Sequence, residues 1–241
     1  MFDTVEHPAD PHAKPAEHRT IAIVDVESFT DHRRNNKHQK AIRAALYLSL
    51  RKAFTTAGIP WDSCEHFDRG DSIFILAPAG IPKALFVDHL PSTLAAALHL
   101  HNAESTTEEH IRLRMALHAG EVEFDEHGPT SMAINQTFRL VETSQLKRAL
   151  KASPGVLALA VSEWYFQEVV RHCEHVRPHT FVRVNVDVSK VEPALLGWIS
   201  LPEHPELSSS AVIDEPSTTG RPRRRLLDLI RQRSRSARTR R

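Results

Sequence analysis

Ile21-Ala22-Ile23-Val24-Asp25-Val26-Glu27-Ser28-Phe29-Thr30 is the stretch from which the fold follows. Its run of small and β-branched apolar residues reads as a fully buried strand. Asp25 interrupts the run, and Phe29-Thr30 begins the exit. A lone charge in a buried strand costs several kcal/mol unless something pairs with it, and a bound cation is the usual partner. Many strand-end Asp residues are surface or helix-capping groups, so Asp25 alone does not make a metal site.

Outward from that strand, placed at 20–26, the periodicity alternates between helix and strand. A helix is predicted at about 36–57, with Ile42, Leu46, Leu50, Ala53, Phe54 and Ala57 on one face; Gly58 ends it and Pro60 confirms the stop. Residues 62–67 and 71–77 read as two strands joined by Asp68-Arg69-Gly70. Leu90, Leu94, Ala97 and Leu98 mark a second long helix at about 83–102, and a polar linker at 103–109 follows. Ile111–His118 then alternates as a half-buried strand. A loop or hairpin around His127-Gly128-Pro129 leads to a helix at 131–150 with Ile134, Phe138 and Val141 inward. Pro154-Gly155 introduces a strand at 156–161, and Ser162 caps a short helix ending near Cys173. Val182, Val184, Val186 and Val188 alternate in another strand, with Leu195–Leu201 as its partner. The order is β-α-β-β-α-β followed by α-β-α-β-β. That is an α+β fold built on a ferredoxin-like βαββαβ sandwich, a sheet with helices on one face. Residues 1–18, rich in Pro, His, Asp and Glu, are predicted to be disordered, and from about 203 the chain turns Pro/Ser/Glu-rich and leaves the domain.

Composition narrows the class. The 241 residues suit one large domain with tails, and 41% hydrophobic with 25% charged residues is ordinary for a soluble protein. No apolar run reaches the length of a membrane span, and no signal-peptide pattern opens the chain. Cys64 and Cys173 make neither a disulfide framework nor a zinc site, which points to a reducing, cytoplasmic setting. The sixteen histidines are scattered without metal-ligand spacing. A formal net charge of +1 hides a tail from Arg221 that carries ten arginines and one acid, Asp228; the rest of the chain is acidic. That tail, residues 202–241 with its Pro/Ser-rich start, could contact anionic membrane or nucleic acid as a basic helix, or serve as a solubilising extension.

Two constellations carry chemistry. In a β-α-β-β arrangement the first and third strands lie side by side at the sheet centre. Asp25, ending the first, then meets Asp71, starting the third. Two converging carboxylates suit Mg²⁺ or Mn²⁺, and paired metals activate an attacking hydroxyl and neutralise a triphosphate. The plainer alternative is a turn Asp in Arg69-Gly70-Asp71 that bonds its own backbone. In Asn135-Gln-Thr-Phe-Arg139 the spacing of four puts Asn135 and Arg139 on one helical face. Arg stabilises charge on a phosphoryl group and Asn holds a sugar oxygen, although a solvated helix face has the same pattern.

In this order these residues resemble a known family. Asp25-Val-Glu-Ser-Phe29-Thr30 resembles the "D-x-x-x-F-T" opening of class III nucleotidyl cyclases, and Gly70-Asp71 is similar to their second metal-binding Gly-Asp. Leu113-Arg114-Met-Ala-Leu-His118-Ala-Gly120-Glu121-Val122 resembles their "L-R-x-x-x-H-x-G-E-V" strand, and Asn135/Arg139 their Asn-x-x-x-Arg pair. The resemblance spans about residues 19–201, which it implies is the cyclase domain. It implies that Asp25 and Asp71 bind two metals with help from the backbone carbonyl of Val26. It implies that Asn135 orients the ribose and that Arg139 stabilises the pentavalent phosphorus. Phe29 and Lys190, the latter on a late strand, would touch the nucleotide. It further implies a homodimer with sites at the interface, each taking its carboxylates from one chain and its Asn/Arg pair from the other.

The departures bear on substrate. Adenylyl cyclases carry Lys, and guanylyl cyclases Glu, three residues before the Gly of the Gly-Asp pair; Phe67 stands there. The second base-reading position, seven before the Asn, falls on Gly128 or its neighbours. An aromatic ring in place of a polar purine-reading pair would shrink the pocket and offer a smaller base a stacking or edge contact. In this the chain resembles the pyrimidine cyclases of bacterial anti-phage signalling (Pycsar), which make cyclic UMP or cyclic CMP for a separate effector. The expectation is a cyclase of UTP or CTP, cyclic UMP taken first without a residue that separates the two. An unusual adenylyl or guanylyl cyclase and a catalytically silent nucleotide- or partner-binding module are the alternatives.

Overall fold

The computed structural model describes residues 15–186 and 195–213. Strand β1 (Glu17–Val26) contains Ile21–Val26 of the opening stretch and lies inside the sheet, hydrogen-bonded on both edges. Around it run α1 (Asn36–Thr56), β2 (Glu65–Asp68), β3 (Ser72–Pro78), α2 (Leu85–Asp88), α3 (Leu90–Glu104) and β4 (Leu113–Asp125). Then come β5 (Gly128–Thr130), α4 (Met132–Glu142), α5 (Ser144–Ala152), β6 (Leu157–Ser162) and α6 (Glu163–Glu168). The described chain ends with β7 (Val182–Val186), β8 (Leu195–Ser200) and α7 (Ser208–Ile213). The sheet order is β2-β3-β1-β4-β6-β8-β7, with β5 paired to β4. Its first four strands are the antiparallel set of a βαββαβ sandwich; among the described residues only β4 and β6 pair in parallel.

The expectation of helices on one face holds for α1 and α3 but not for the whole molecule. Ala22, Val24 and Val26 point into a core shared with Ile42, Leu46 and Leu50 of α1 and Leu94 and Leu98 of α3. Ile21 and Ile23 point the other way, into a second core with Ile134 and Leu140 of α4 and Leu146 and Leu150 of α5. A strand apolar on both faces needs two covers, so the C-terminal extension supplies the second layer.

Local chemistry sets the element ends. Asn35 caps α1 by accepting from the backbone N–H of Lys37 and His38 at 2.9 and 3.1 Å. The long helix predicted at 83–102 divides at His89, because Pro91 lacks an N–H and fits only the first turn of α3. The helix predicted at 131–150 also divides, at Thr143, whose ψ of 140° is extended. The chain stays on the domain past 203. The Glu203 carboxylate accepts from Val156 N–H at 2.7 Å and Leu157 N–H at 3.2 Å, and the fully buried Ser208 hydroxyl accepts from Leu201 N–H at 3.1 Å. The predicted disorder of 1–18 falls mostly outside the described residues. Val188, Lys190 and the Arg-rich tail lie wholly outside them. Among the described residues no helix is long and apolar enough to cross a membrane.

Gly120 explains one letter of the β4 motif. A Cβ there would stand 2.6 Å from Ala133 Cβ, so α4 sits on β4 at a distance only glycine permits. Gly120→Ala is expected to lower unfolding free energy by about 1–3 kcal/mol, read as a drop in urea midpoint.

Candidate active site

β1 delivers Asp25 to the point where three strands end together. Asp25 lies opposite Ser72 on β3 and opposite Arg114 on β4. The next residue, Val26, donates its N–H to the carbonyl of Asp71 at 2.9 Å, so Asp71 is locked beside the end of β1. The turn carrying Asp71 is fixed by a different acid. Asp68 accepts from Gly70 N–H at 2.8 Å, from the Arg43 guanidinium at 2.5 Å and from the Tyr47 hydroxyl at 3.1 Å. Gly70, at φ +89°, supplies the left-handed conformation the turn needs. Asp71 is therefore not the self-bonding turn residue; Asp68 fills that role.

Charge at this corner is balanced within the chain. Burial raises the pKa of Asp25, the paired Arg114 opposes the rise, Asp71 adds to it, and Lys147 of α5 opposes it from farther away. Arg114 forms an ion pair with Asp25, both side chains being largely buried, and its Nε has no hydrogen-bond partner among the described residues. In the sequence Arg114 is a letter of the β4 motif with no role attached to it. Arg112 and Arg114 are both cations in the same alternation, and only the β1–β4 register shows that Arg114 faces Asp25.

The donor set fits a hard cation. Two carboxylates in each other's field favour Mg²⁺ or Mn²⁺, which take few protein ligands and fill the rest with water and substrate oxygens. Among the described residues no three His, Cys, Asp or Glu side chains gather into a cage, as a structural zinc site would need. The raised pKa of Asp25 means protons compete for it at higher pH than for an ordinary Asp.

The second constellation opens on a groove of about 450 Å³ between the β2–β3 turn and α4, whose walls include Arg69, Ser72, Thr130, Asn135, Phe138 and Glu142. Neither Asp25 nor Asp71 lines it. Asn135 is exposed and Arg139 half-buried, while Ile134 and Leu140 seat α4 in the core. Phe67, half-buried, stacks on Phe74 with centroids 4.9 Å apart, and Phe74 meets Phe138 edge-on at 5.9 Å. The ring that lines the groove is thus Phe138, with Phe67 two rings behind. Phe29 packs against the α1/α3 core, and its carbonyl accepts from Gln39 at 3.4 Å.

No family model matches the chain, and no curated protein matches it by sequence. Solved structures do. The catalytic core of a rhodopsin-guanylyl cyclase with converted specificity, in complex with ATPαS, is 18% identical with a TM-score of 0.52, over 78% of this chain and 97% of that one. The guanylyl cyclase Cya2 is 16% identical with a TM-score of 0.54, over 77% and 93%. An adenylate/guanylate cyclase/hydrolase from Silicibacter pomeroyi is 17% identical with a TM-score of 0.50, over 76% and 97%. The fold is that of a class III nucleotidyl cyclase catalytic domain.

One buried residue of this cyclase fold titrates far from its usual range. His118 on β4 sits under α4, and its Nδ1 lies 2.7 Å from the Ser162 hydroxyl. The same oxygen accepts from Tyr165 N–H at 3.1 Å, which ties His118 to the cap of α6. Burial pushes the pKa down to about 4, the charge of His18 adds to this, and a hydrogen bond with Gln136 opposes it. An unfolded His titrates near 6.5, so between pH 6.5 and 4 the unfolded chain binds the extra proton. The stabilisation is whole above about pH 6.5 and falls as pH drops toward 4, by at most about 3 kcal/mol. Urea midpoints at pH 7.5 and 5 should show that fall, and His118→Gln should flatten it.

Proposed function

We propose that this protein is a metal-dependent cyclase that converts a pyrimidine nucleoside triphosphate, UTP or CTP, to the 3′,5′-cyclic monophosphate and pyrophosphate. The observation that carries this is the locking of Asp71 beside Asp25 at the end of β1. Asp25 already meets Arg114 within the chain, and the exposed Asp71 adds a like charge beside it with no side-chain partner among the described residues, so the pair gains from a cation brought in from solvent.

In this reading Asp25, Asp71 and the carbonyl of Val26 hold two Mg²⁺ or Mn²⁺ ions. When bound, such metals lower the pKa of the ribose 3′-hydroxyl and neutralise triphosphate charge. Asn135 holds the ribose so that its 3′-oxygen lies in line with the α-phosphorus. The new bond joins O3′ to that phosphorus as the bond to the bridging β-oxygen breaks; the hydroxyl loses its proton and pyrophosphate departs. Arg139 meets the charge that grows on the α-phosphoryl oxygens. Arg114, with Nε uncommitted, can exchange Asp25 for substrate phosphate once a cation takes its place. Phe29 and Lys190 are the proposed further nucleotide contacts.

The groove that holds Asn135 but neither carboxylate supports a site assembled from two chains, the acids of one and the α4 face of the other. A homodimer then has two such sites. Phe67, which stands where purine cyclases carry a charged base reader and is packed on Phe74 outside the groove lining, supports a pyrimidine, with Phe138 as the ring a base can stack on. We place the enzyme in the cytoplasm, its product acting as a second messenger in anti-phage defence through a separate effector.

Pure protein incubated with Mn²⁺ and each of the four nucleoside triphosphates tests this by chromatography of the products. Cyclic UMP or cyclic CMP is expected. Cyclic AMP or GMP as the main product would overturn the pyrimidine assignment, and no product from any of the four would leave a silent binding module.

A further inference from the structure

The groove along α4 carries two charged side chains that the proposed chemistry leaves unused, Arg69 and Glu142. Among the described residues neither side chain makes a hydrogen bond or ion pair. Building on the cyclase reading, we propose that Arg69 and Glu142 read the substrate base, and that the base is cytosine.

The backbone that carries each of them is fixed. Arg69 rides on the turn that Asp68, Arg43 and Tyr47 hold rigid, and its own N–H donates to Ser72 O at 2.9 Å. On α4, Asn135, Phe138 and Glu142 are spaced three and four apart and so line one face. With the ribose held by Asn135, the groove offers the base the Phe138 ring as a floor, with Arg69 and Glu142 on its walls. A flat aromatic face takes any base by stacking, so the edge groups must do the choosing.

A guanidinium presents two parallel N–H donors, and a carboxylate only accepts. Together they complement an edge with one donor beside two adjacent acceptors. Cytosine has that edge: the N4 amine donates, and N3 and O2 accept. Uracil alternates acceptor, donor, acceptor, so the fork has only one oxygen to meet and a carbonyl is left facing the carboxylate. Guanine shows one acceptor and two donors, the reverse of what the pair offers. Adenine supplies one donor and one acceptor, leaving half of the fork idle.

The test compares kcat/KM for CTP, UTP, ATP and GTP in the native protein, Arg69→Ala and Glu142→Gln, and measures CMP and UMP binding to the same three proteins by calorimetry. Both residues are exposed, so matching thermal melts will show that the variants fold. CTP is expected to exceed UTP by about tenfold or more in the native protein, and CMP to bind more tightly than UMP by a similar factor. Arg69→Ala should raise KM for CTP about tenfold with kcat nearly unchanged and bring the two pyrimidines together. Glu142→Gln should narrow the preference as well. Base ratios unchanged in both variants, or UTP preferred by the native protein, would overturn the assignment. The two readings fail separately. Selective CMP binding through Arg69 without turnover would sink the cyclase and leave the base reading standing. CMP and UMP bound alike would sink the base reading whatever the turnover.

Discussion

Asp71→Ala is expected to lower the rate of nucleotide cyclisation by about 10³-fold while leaving the protein folded, a loss in the range seen when a charge-stabilising group is removed from a transition state. The two halves of that statement come from one observation. Asp71 contributes to the scaffold through its backbone carbonyl, which accepts from Val26 N–H, and its exposed side chain has no structural partner among the described residues. Alanine keeps the carbonyl and removes only the carboxylate, so unfolding free energy should change by no more than about 0.5 kcal/mol. Asp25→Ala is a poorer probe. It also strips the buried Arg114 of its counter-ion, and leaving such a charge unpaired costs about 3–5 kcal/mol. Loss of activity in that variant would therefore mix chemistry with folding. Mn²⁺ titration separates the roles further: Asp71→Ala should lose Mn²⁺ binding in step with turnover. Full activity in a folded Asp71→Ala protein would remove the two-metal site.

The opening strand shows how far the sequence reaches. Ile21–Val24 tells the strand and its burial directly, because an unbroken apolar run admits no solvent-facing side. The same fact implies a second helical layer, yet the α4–α5 pair that provides it looked like a single helix until Thr143 was seen extended. Asp25 and Asp71 could be brought together from topology alone, since βαββ connectivity forces their strands to neighbour. Arg114 could not, because facing Asp25 depends on a register that no local pattern encodes. Phe67 and Phe138 show the same limit. Position relative to Gly70 singled out Phe67, and helical spacing made Phe138 a core residue. In the fold Phe67 is spent on Phe74, and Phe138 is the ring that faces the groove. The tail of the domain was misplaced for a simpler reason. A Pro/Ser/Glu-rich segment reads as solvent-borne, but Glu203 and Ser208 use their polar atoms to tie down backbone N–H groups that would otherwise be orphaned.

Arg139→Ala is the second severe loss, expected at about 10²–10³-fold in kcat with a smaller change in KM, because a guanidinium that meets charge only as it develops acts on the transition state. Paired with Asp71→Ala it also tests the assembly. If each site takes its carboxylates from one chain and Asn135 and Arg139 from the other, the two defects fall in the same site of a mixed dimer. One of its sites then carries both lesions and the other carries neither. Equal amounts of the two inactive proteins, dissociated and reassociated, yield mixed dimers as half of the population, each with one intact site of two. Activity should then recover to about a quarter of the native value, about 250-fold above Asp71→Ala alone and about 25- to 250-fold above Arg139→Ala alone. A site built within one chain gives a different result, since every protomer would carry one lesion and no site would be whole. The groove predicts the first outcome. Asn135 stands on its wall beside Arg69 and Ser72, which flank the β3 end of the acid turn, yet the carboxylates of Asp25 and Asp71 are not among the groups that line it. Recovery near a quarter would place the acids of one protomer over the α4 face of its partner; mixtures as inactive as their components would require both halves of the chemistry to meet within a single chain.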